Sequence, residues 1–358
     1  MSTLYVTEPG AQLEKEYRHL LVTVDDETRL RLPLADVSHV VLVGQGVGMT
    51  TPALHALLGA AVAVSLVNRS GELLGRLTPP SGRNLELRRR QYARAADPAF
   101  CLAFARQVVA GKLRNYRTLA LRWRRGDDPP APKPGGGAAI PPVIGGAGGR
   151  RVALAEPFER LEAALAGIEA ASDLATLRGL EGAGSKAYFA IFRASLPETF
   201  IFAKRTRRPP RDPVNALLSL GYTLLGEAIA TALEVVGLDP YEGFYHADKY
   251  GRPALALDLL EEFRGPIVDS VALTLIAKRM LTPDDFEDAH AGEAAGVYLK
   301  RSSLALYLRE FSERLQATFT HPLAGRPLTY QKCLEVQARQ VAKLVLGEVD
   351  MYRPLRVR

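Results

Sequence analysis

Residues 212–237 read DPVNALLSLGYTLLGEAIATALEVVG, and no other stretch of this chain carries clearer helical signals. Asp212 is a residue type that caps helix N-termini, and Pro213 has a backbone torsion that suits the first turn. Gly237 suits the left-handed position that follows many helices. The stretch therefore predicts one long helix that begins and ends at defined residues.

Helical periodicity extends on both sides of this stretch, from residue 84 to residue 358. One segment, GDDPPAPKPGGGAAIPPVIGGAGGRR at residues 126–151, interrupts it, and its Pro and Gly content predicts a flexible surface insertion. We predict a mainly α-helical domain over residues 84–358, because apolar residues recur there at spacings of three and four. The other predicted helices are 84–96, 99–125, 158–171, 255–280, 298–318 and 329–348.

Before residue 84 the pattern changes to short runs rich in Val and Leu. These runs, such as HVVLVGQG at residues 39–46, are separated by turn-forming residues, which is typical of β-strands. One helix, PALHALLGA at residues 52–60, is predicted among them. The predicted fold class is therefore α+β, with a small N-terminal β domain over residues 1–83 followed by a larger, mainly α-helical catalytic domain.

Composition narrows the functional classes. The chain has 358 residues and a formal net charge of +7, which favours anionic partners such as nucleic acid. Its two cysteines, Cys101 and Cys333, are too far apart for a zinc knuckle and too few for a disulfide framework. The N-terminal sequence lacks the pattern of a signal peptide. Because Glu227 and Glu234 interrupt the most apolar stretch, we interpret it as shorter and more polar than a membrane span requires, and expect a cytoplasmic protein.

Acidic and imidazole side chains stand at three places in the helical half. Glu181 lies in LRGLEGAGSKAYF, between a probable helix end and a run of small residues, and His246 lies in GLDPYEGFYHADK, a predicted turn between helices. PALALDLLEEFRG contains Asp258, Glu261 and Glu262. Carboxylates with one imidazole and no thiolate suit Mg²⁺ or Mn²⁺ better than a structural zinc ion.

Each of these places also has a purely structural interpretation. An acidic helix edge is usually a solvated face, His246 is also consistent with a surface loop, and Glu181 with a first-turn glutamate near a helix N-terminus. Helical spacing puts Asp258 on one face with either Glu261 or Glu262, so the residues alone leave open which carboxylates share a site.

Motifs of several other enzyme classes are absent from the sequence. It contains no HExxH pair of a zinc peptidase, no GxxxxGK[ST] phosphate loop and no GxSxG nucleophile motif. GQGVGM at residues 44–49 leads into no recognisable dinucleotide-binding unit.

Basic runs supply candidate phosphate contacts, because the arginine fork matches phosphate oxygens. The run KRTRRPPR at residues 204–211 directly precedes the capped helix, and a second arginine cluster lies in the helix after residue 84. Each run is also consistent with a solvated face. The candidate DNA-binding residues are Arg88, Arg89, Lys204, Arg205, Arg207, Arg208 and Arg211.

Four segments together resemble one known family, the CRISPR-associated spacer-acquisition integrases (Cas-one). The resemblance is strong over residues 176–270, good over 329–358, and weaker but consistent over the predicted β domain. The order of GFYH, GRPALALDL and EEFR is its most specific part. The segments are LEGAGSKAYFAIF, RPPRDPVNALLSLGYTLL, GLDPYEGFYHADKYGRPALALDLLEEFRGPIVD and YQKCLEVQARQVAKLVLGEVDMYRPLRVR.

The resemblance implies a β domain joined to an α domain that holds the active site, and a homodimer. Two such dimers, bridged by the small partner Cas-two, would form the integration complex on double-stranded DNA. Glu181, His246 and Glu261 resemble the metal ligands, and Asp258 an additional acidic catalytic residue. The third ligand remains a choice among Asp258, Glu261 and Glu262.

The function we predict is a metal-dependent DNA endonuclease and integrase of CRISPR adaptation. A 3′-hydroxyl of a captured fragment attacks a phosphodiester at the edge of a repeat, and Mg²⁺ or Mn²⁺ assists. Two alternatives remain from the residues: a metal-dependent nuclease of branched DNA repair intermediates, and a non-enzymatic DNA-binding scaffold.

Overall fold

The computed structural model describes most of the chain, with short gaps. The described ranges are 2–68, 72–79, 84–125, 154–206, 209–246, 250–289, 296–322 and 324–357. The predicted insertion at residues 126–151 lies outside the described residues, as do Arg207 and Arg208.

The N-terminal region contains eight strands and one helix within the described residues. They form two four-stranded sheets, with strand orders β1-β5-β7-β8 and β4-β3-β2-β6. In the first sheet β5 pairs in parallel with β1 and β7, and β8 is antiparallel to β7. The elements are β1 (Ser2–Val6), β2 (Gln12–Glu16), β3 (His19–Val24), β4 (Glu27–Pro33), β5 (Val37–Val43), β6 (Gly48–Met49), α1 (Thr51–Gly59), β7 (Ala63–Val67) and β8 (Leu73–Leu77).

Strand β5 connects this region to the rest of the protein. Its sequence VSHVVLV is apolar almost throughout because both faces of the strand are covered. Val40 and Leu42 belong to a core within the β region, whereas Val41 and Val43 belong to the large core of the helical region. The domain boundary at residues 83 and 84 remains a prediction.

Helices dominate the chain from residue 85 onwards, so the predicted α+β fold class is confirmed. Two short antiparallel strand pairs, β9 with β10 and β11 with β12, accompany the helices. The elements are α2 (Leu85–Ala95), α3 (Pro98–Arg125), α4 (Ala155–Gly167), α5 (Leu174–Ala194), α6 (Pro213–Val236), α7 (Ala254–Phe263), α8 (Ser270–Ala277), β9 (Phe286–Ala289), β10 (Gly296–Leu299), α9 (Arg301–Gln316), β11 (Thr318–Thr320), β12 (Pro327–Thr329) and α10 (Tyr330–Leu346).

Helix α6 begins and ends where the sequence predicts. The Asp212 carboxylate accepts a hydrogen bond from the Asn215 amide at 2.8 Å, and Gly237 adopts the left-handed conformation with φ of 98°. The predicted helix over 255–280 is instead divided into α7 and α8 by a π-helical turn at Gly265–Asp269.

The interpretation that the apolar stretch of α6 is shorter and more polar than a membrane span requires was wrong. The 24 residues of α6 are long and apolar enough, by length and composition, to cross a membrane. In the folded chain 72% of its most apolar window is buried inside the protein, as expected of a core helix. The two glutamates that interrupt the apolar run mark its contact with the β region, where Arg76 lies 3.3 Å from Glu227 and 2.8 Å from Glu234.

Candidate metal centre

Asp258 organises the loop that precedes α7. Its carboxylate is fully buried and accepts hydrogen bonds from the backbone amides of Phe244 at 2.8 Å, Tyr245 at 3.1 Å and His246 at 2.9 Å. The loop lies this close to α7 because residue 243 is glycine; a Cβ there would stand 2.8 Å from Ala254. The acidic residue therefore sets the position of the histidine.

His246 is oriented by the same carboxylate. Its Nδ1 lies 2.8 Å from Asp258 Oδ1, and its Nε2 lies 3.5 Å from Glu261 Oε1. A metal-binding histidine typically donates one ring N–H to a carboxylate and presents the other nitrogen to the metal. The histidine lies in a loop between helices, as predicted, with Nε2 directed towards Glu261.

Glu261 lies between cationic groups. Lys112 Nζ is 2.7 Å from its Oε2 and Arg264 Nη2 is 2.8 Å from its Oε1. Burial alone would raise the pKa of the Glu261 carboxyl, but Arg264, Lys112 and His246 outweigh it and hold the pKa at about 2. Glu261 is therefore an anion at neutral pH despite being buried.

Glu181 approaches from helix α5. Its Oε1 contacts Lys112 Nζ and accepts a hydrogen bond from Ser185 Oγ at 2.8 Å. The expectation that a helix ends just before Glu181 was wrong, because α5 continues through Glu181 and the small residues that follow. Gly184 has a packing role: a Cβ there would stand 2.7 Å from Leu113, so its absence lets α5 and α3 approach closely.

Glu262 faces away from these groups. It accepts hydrogen bonds from Tyr352 Oη at 2.6 Å, from Gln337 Nε2 at 3.2 Å and from the Leu355 amide. Burial raises the pKa of its carboxyl to about 7, although these donors oppose the shift. Glu262 thus anchors the segment after α10, and the structure does not bring it to the other candidate residues.

The side chains around Lys112 fit a divalent cation in their chemistry. Among the residues that the structure describes, no three His, Cys, Asp or Glu side chains already form a metal-binding cluster. The Lys112 ammonium instead lies between the carboxylates of Glu181 and Glu261. Glu261 Oε2 is buried, and its partner among the described residues is the Lys112 ammonium at 2.7 Å. Two carboxylates and an anchored imidazole are ligands that Mg²⁺ and Mn²⁺ accept.

A cavity of about 430 Å³ adjoins this cluster. Its lining includes Lys112, Glu181, Ser185, Tyr222 and Arg264. Cationic residues also belong to its lining, so an anion would be attracted to it. These residues are Lys186, Arg193, Lys204 and Arg205.

The predicted basic residues divide into two groups. Arg88 donates to the Gly237 carbonyl at 3.2 Å, and Arg205 donates to Asn215 Oδ1 at 2.7 Å, so both support local structure. Arg89, Lys204 and Arg211 have exposed side chains.

Sequence reasoning missed Lys112 and Arg264 as members of the site. Arg264 had a usable signal, since it follows Glu261 by three residues and such spacing brings helical side chains together. Lys112 had only a weak one, a lysine in an otherwise apolar helical segment. Its partner Glu181 is 69 residues away in the chain.

Comparison with known proteins gives concordant matches. The profile of the family described as CRISPR associated protein Cas1 matches residues 4–313. A Thermus thermophilus protein named CRISPR-associated endonuclease Cas1 3 is 38% identical over 361 residues, covering 100% of this chain and 98% of the relative.

Two solved structures are similar over 99% of this chain. A chain of a Cas6-RT-Cas1–Cas2 complex has a TM-score of 0.79 and 26% identity, and the match spans 36% of that longer chain. A casposase bound to integration product has a TM-score of 0.79 and 20% identity, with 93% of its chain covered. At 20% identity the second likeness concerns the fold alone.

Proposed function

Because the chain belongs to the family of CRISPR-associated protein Cas1 (Cas-one), we propose that Glu181, His246 and Glu261 bind its catalytic divalent metal. The protein is a CRISPR-associated endonuclease and integrase of CRISPR adaptation. The assignment of the site rests mainly on one observation: two buried or half-buried carboxylates converge on one ammonium group, and an oriented imidazole lies beside one of these carboxylates, Glu261. Mg²⁺ and Mn²⁺ are the cations that this donor set favours.

Asp258 has a separate role in this proposal. Both of its oxygens are engaged by the loop and by His246 Nδ1, so it orients the imidazole from behind. Replacing such a supporting carboxylate typically costs 10- to 100-fold in metal affinity or activity. Asp258 is therefore a positioning residue in this site, and Glu261 is the third ligand.

The proposed reaction is a direct transesterification. The 3′-hydroxyl oxygen of a captured fragment bonds to a phosphorus at the edge of a CRISPR repeat, and the bond from that phosphorus to its own 3′ oxygen breaks. When bound, Mg²⁺ or Mn²⁺ supplies polarisation of the phosphoryl oxygen and stabilises charge on the attacking and leaving oxygens. Arg264, held against Glu261, adds a fixed positive charge beside the same position. With water as the nucleophile, the site nicks DNA.

Double-stranded DNA would reach the site across the basic lining of the cavity. Exposed Arg89, Lys204 and Arg211 are the remaining candidates for contacts to DNA phosphates, and such contacts make affinity depend on salt. A complex with the partner Cas2 (Cas-two), a homodimeric assembly and a cytoplasmic location complete the proposal. The similarity to a chain of a Cas6-RT-Cas1–Cas2 complex supports the partner.

A strand-transfer assay tests the site. It combines the full chain, Cas2, a labelled fragment with free 3′-hydroxyl ends, a plasmid bearing the repeat, and Mg²⁺ or Mn²⁺. Glu181→Gln and His246→Ala should each lose roughly a thousandfold in rate, because a lost ligand removes several kcal/mol of transition-state stabilisation. Glu159→Gln, an exposed glutamate on α4, is the matched control. Wild-type rates for Glu181→Gln would contradict the proposed ligand set.

A further inference from the structure

We propose that the Lys112 ammonium is an exchangeable internal cation, which metal displaces from Glu181 and Glu261 into the adjoining cavity. The inference rests on the proposed function, since it concerns the same site. It makes Lys112 a positioning residue that couples metal binding to binding of a DNA phosphate.

Lys112 is buried between two carboxylates. The residue is 2% exposed, and its Nζ contacts Glu181 Oε1 and lies 2.7 Å from Glu261 Oε2. Two carboxylates that converge in a buried site repel each other unless a cation lies between them. In this structure the ammonium is that cation, and the two carboxylates that it neutralises are two of the three residues that would hold the metal.

A cavity and an aromatic ring adjoin the Lys112 side chain. The same side chain lines the cavity of about 430 Å³, together with Glu181, so open space adjoins the lysine beside its carboxylate partner. Its Nζ lies 5.5 Å from the centroid of the Tyr116 ring, which also lines the cavity. Lysine has a flexible four-carbon stem and an ammonium that aromatic faces attract. A rotation of this stem therefore moves the charge from the carboxylates into the cavity.

The consequence is coupling between two ligands. A displaced ammonium adds one positive charge to a cavity that Lys186, Lys204 and Arg205 already line. That charge attracts a phosphodiester oxygen, whose arrival in turn disfavours the return of the ammonium. Metal and DNA therefore tighten each other's binding by the same factor. Without DNA, the ammonium competes with the metal and holds the site in a metal-poor state.

Lysine footprinting tests the movement without measuring activity. The full chain is treated with an amine-acylating ester, with and without Mg²⁺ and in the absence of DNA, and labelled lysines are identified by mass spectrometry. Lys112 should be labelled only when Mg²⁺ is present. Exposed Lys343 on α10 is the internal reference and should react equally in both conditions. His246→Ala, which removes a proposed ligand but no contact of Lys112, should lose the response.

Titration with Mn²⁺ separates the possible failures. Mn²⁺ affinity is measured by the paramagnetic resonance signal of the free ion in wild type, His246→Ala, Glu181→Gln and Lys112→Met. If wild type binds Mn²⁺ more tightly than His246→Ala while Lys112 stays unlabelled, the exchange is wrong and the metal site stands. If His246→Ala and Glu181→Gln bind Mn²⁺ as wild type does, the proposed function itself is wrong.

Lys112→Met gives the second measurement. Without DNA it should bind Mn²⁺ roughly tenfold more tightly than wild type, because no ammonium competes, and added DNA should no longer increase that affinity. Persistence of the DNA effect in Lys112→Met would overturn the coupling. Should the buried carboxylates prevent this variant from folding, the footprint of the wild-type chain decides alone.

Discussion

Glu261 and Glu262 are neighbours on α7 and are both buried, yet they face different regions of the molecule. Glu261 faces Lys112 and Arg264, and its pKa is held at about 2. Glu262 faces α10 and the segment after it, and its donors there among the described residues are the neutral groups of Gln337, Tyr352 and Leu355. There burial raises the pKa to about 7.

Residues of helix α3 also face one or the other of these two regions. Lys112 faces the candidate metal centre, whereas Asn115, three residues later, faces the C-terminal segment. Asn115 donates to the Glu262 carbonyl at 2.8 Å and to the Leu355 carbonyl at 3.0 Å. Charged partners therefore mark the region where a carboxylate stays ionised. Neutral partners mark the region where a carboxylate only holds the chain together.

Paired substitutions on α7 give the largest expected effect. Glu261→Gln should lower the strand-transfer rate roughly a thousandfold, because it removes a proposed metal ligand. Glu262→Gln should leave the rate close to that of wild type, because the side chain reaches only the C-terminal segment. Both variants are first shown by circular dichroism to be folded at the assay temperature. Equal losses in the two variants would end the distinction between the regions.

The next largest expected effect is on the free energy of unfolding, which should depend on pH through Glu262 and Glu261. The pKa of Glu262 is about 7 in the folded chain and near 4.3 when unfolded, so the folded state binds its proton more tightly. This contribution is complete below the unfolded pKa and is lost as pH rises through 7. For Glu261 the shift is opposite, and its contribution is lost only as pH falls from about 4 towards 2.

The measurement compares wild type with Glu262→Gln by urea unfolding at pH 5 and pH 8. The free energy of unfolding of wild type, relative to the variant, should fall by roughly 2 to 3 kcal/mol across this interval. Other titrating groups, including Asp269 with a pKa raised to about 6 by burial, cancel in the difference. A constant difference would mean that Glu262 does not titrate in this range.

The sequence predicted what local signals determine. The change from strands to helices, the bounds of α6 and the loop position of His246 follow from residue types and short spacings. The small residues Gly182 and Gly184 led to a wrong prediction. A helix end was expected there, but α5 continues, and Gly184 allows close packing against Leu113. Local sequence signals do not show which neighbouring helix packs against a small residue.

The choice among the acidic residues of α7 depends on distant partners. Glu261 and Glu262 are alike in type and differ by one position, so helical spacing alone cannot assign them. What separates them is Lys112 on one side and Tyr352, 90 residues along the chain from Glu262, on the other. Only the folded chain brings those partners together.

The smallest expected effect is on the free energy of unfolding of two tyrosine variants, one that loses a hydrogen bond to a carboxylate and one that loses a hydrogen bond to a neutral carbonyl. Tyr352→Phe removes a hydrogen bond of 2.6 Å to Glu262, while Tyr307→Phe removes one of 2.9 Å to the Leu217 carbonyl; both residues are almost fully buried. Each loss should cost about 1 to 2 kcal/mol of unfolding free energy. Because hydrogen bonds to charged acceptors are stronger, the cost of Tyr352→Phe should be larger at pH 8 than at pH 5. The cost of Tyr307→Phe should not change with pH, and neither variant should alter strand transfer. If both costs were independent of pH, Glu262 would not ionise between pH 5 and pH 8, and the contrast with Glu261 would rest on position alone.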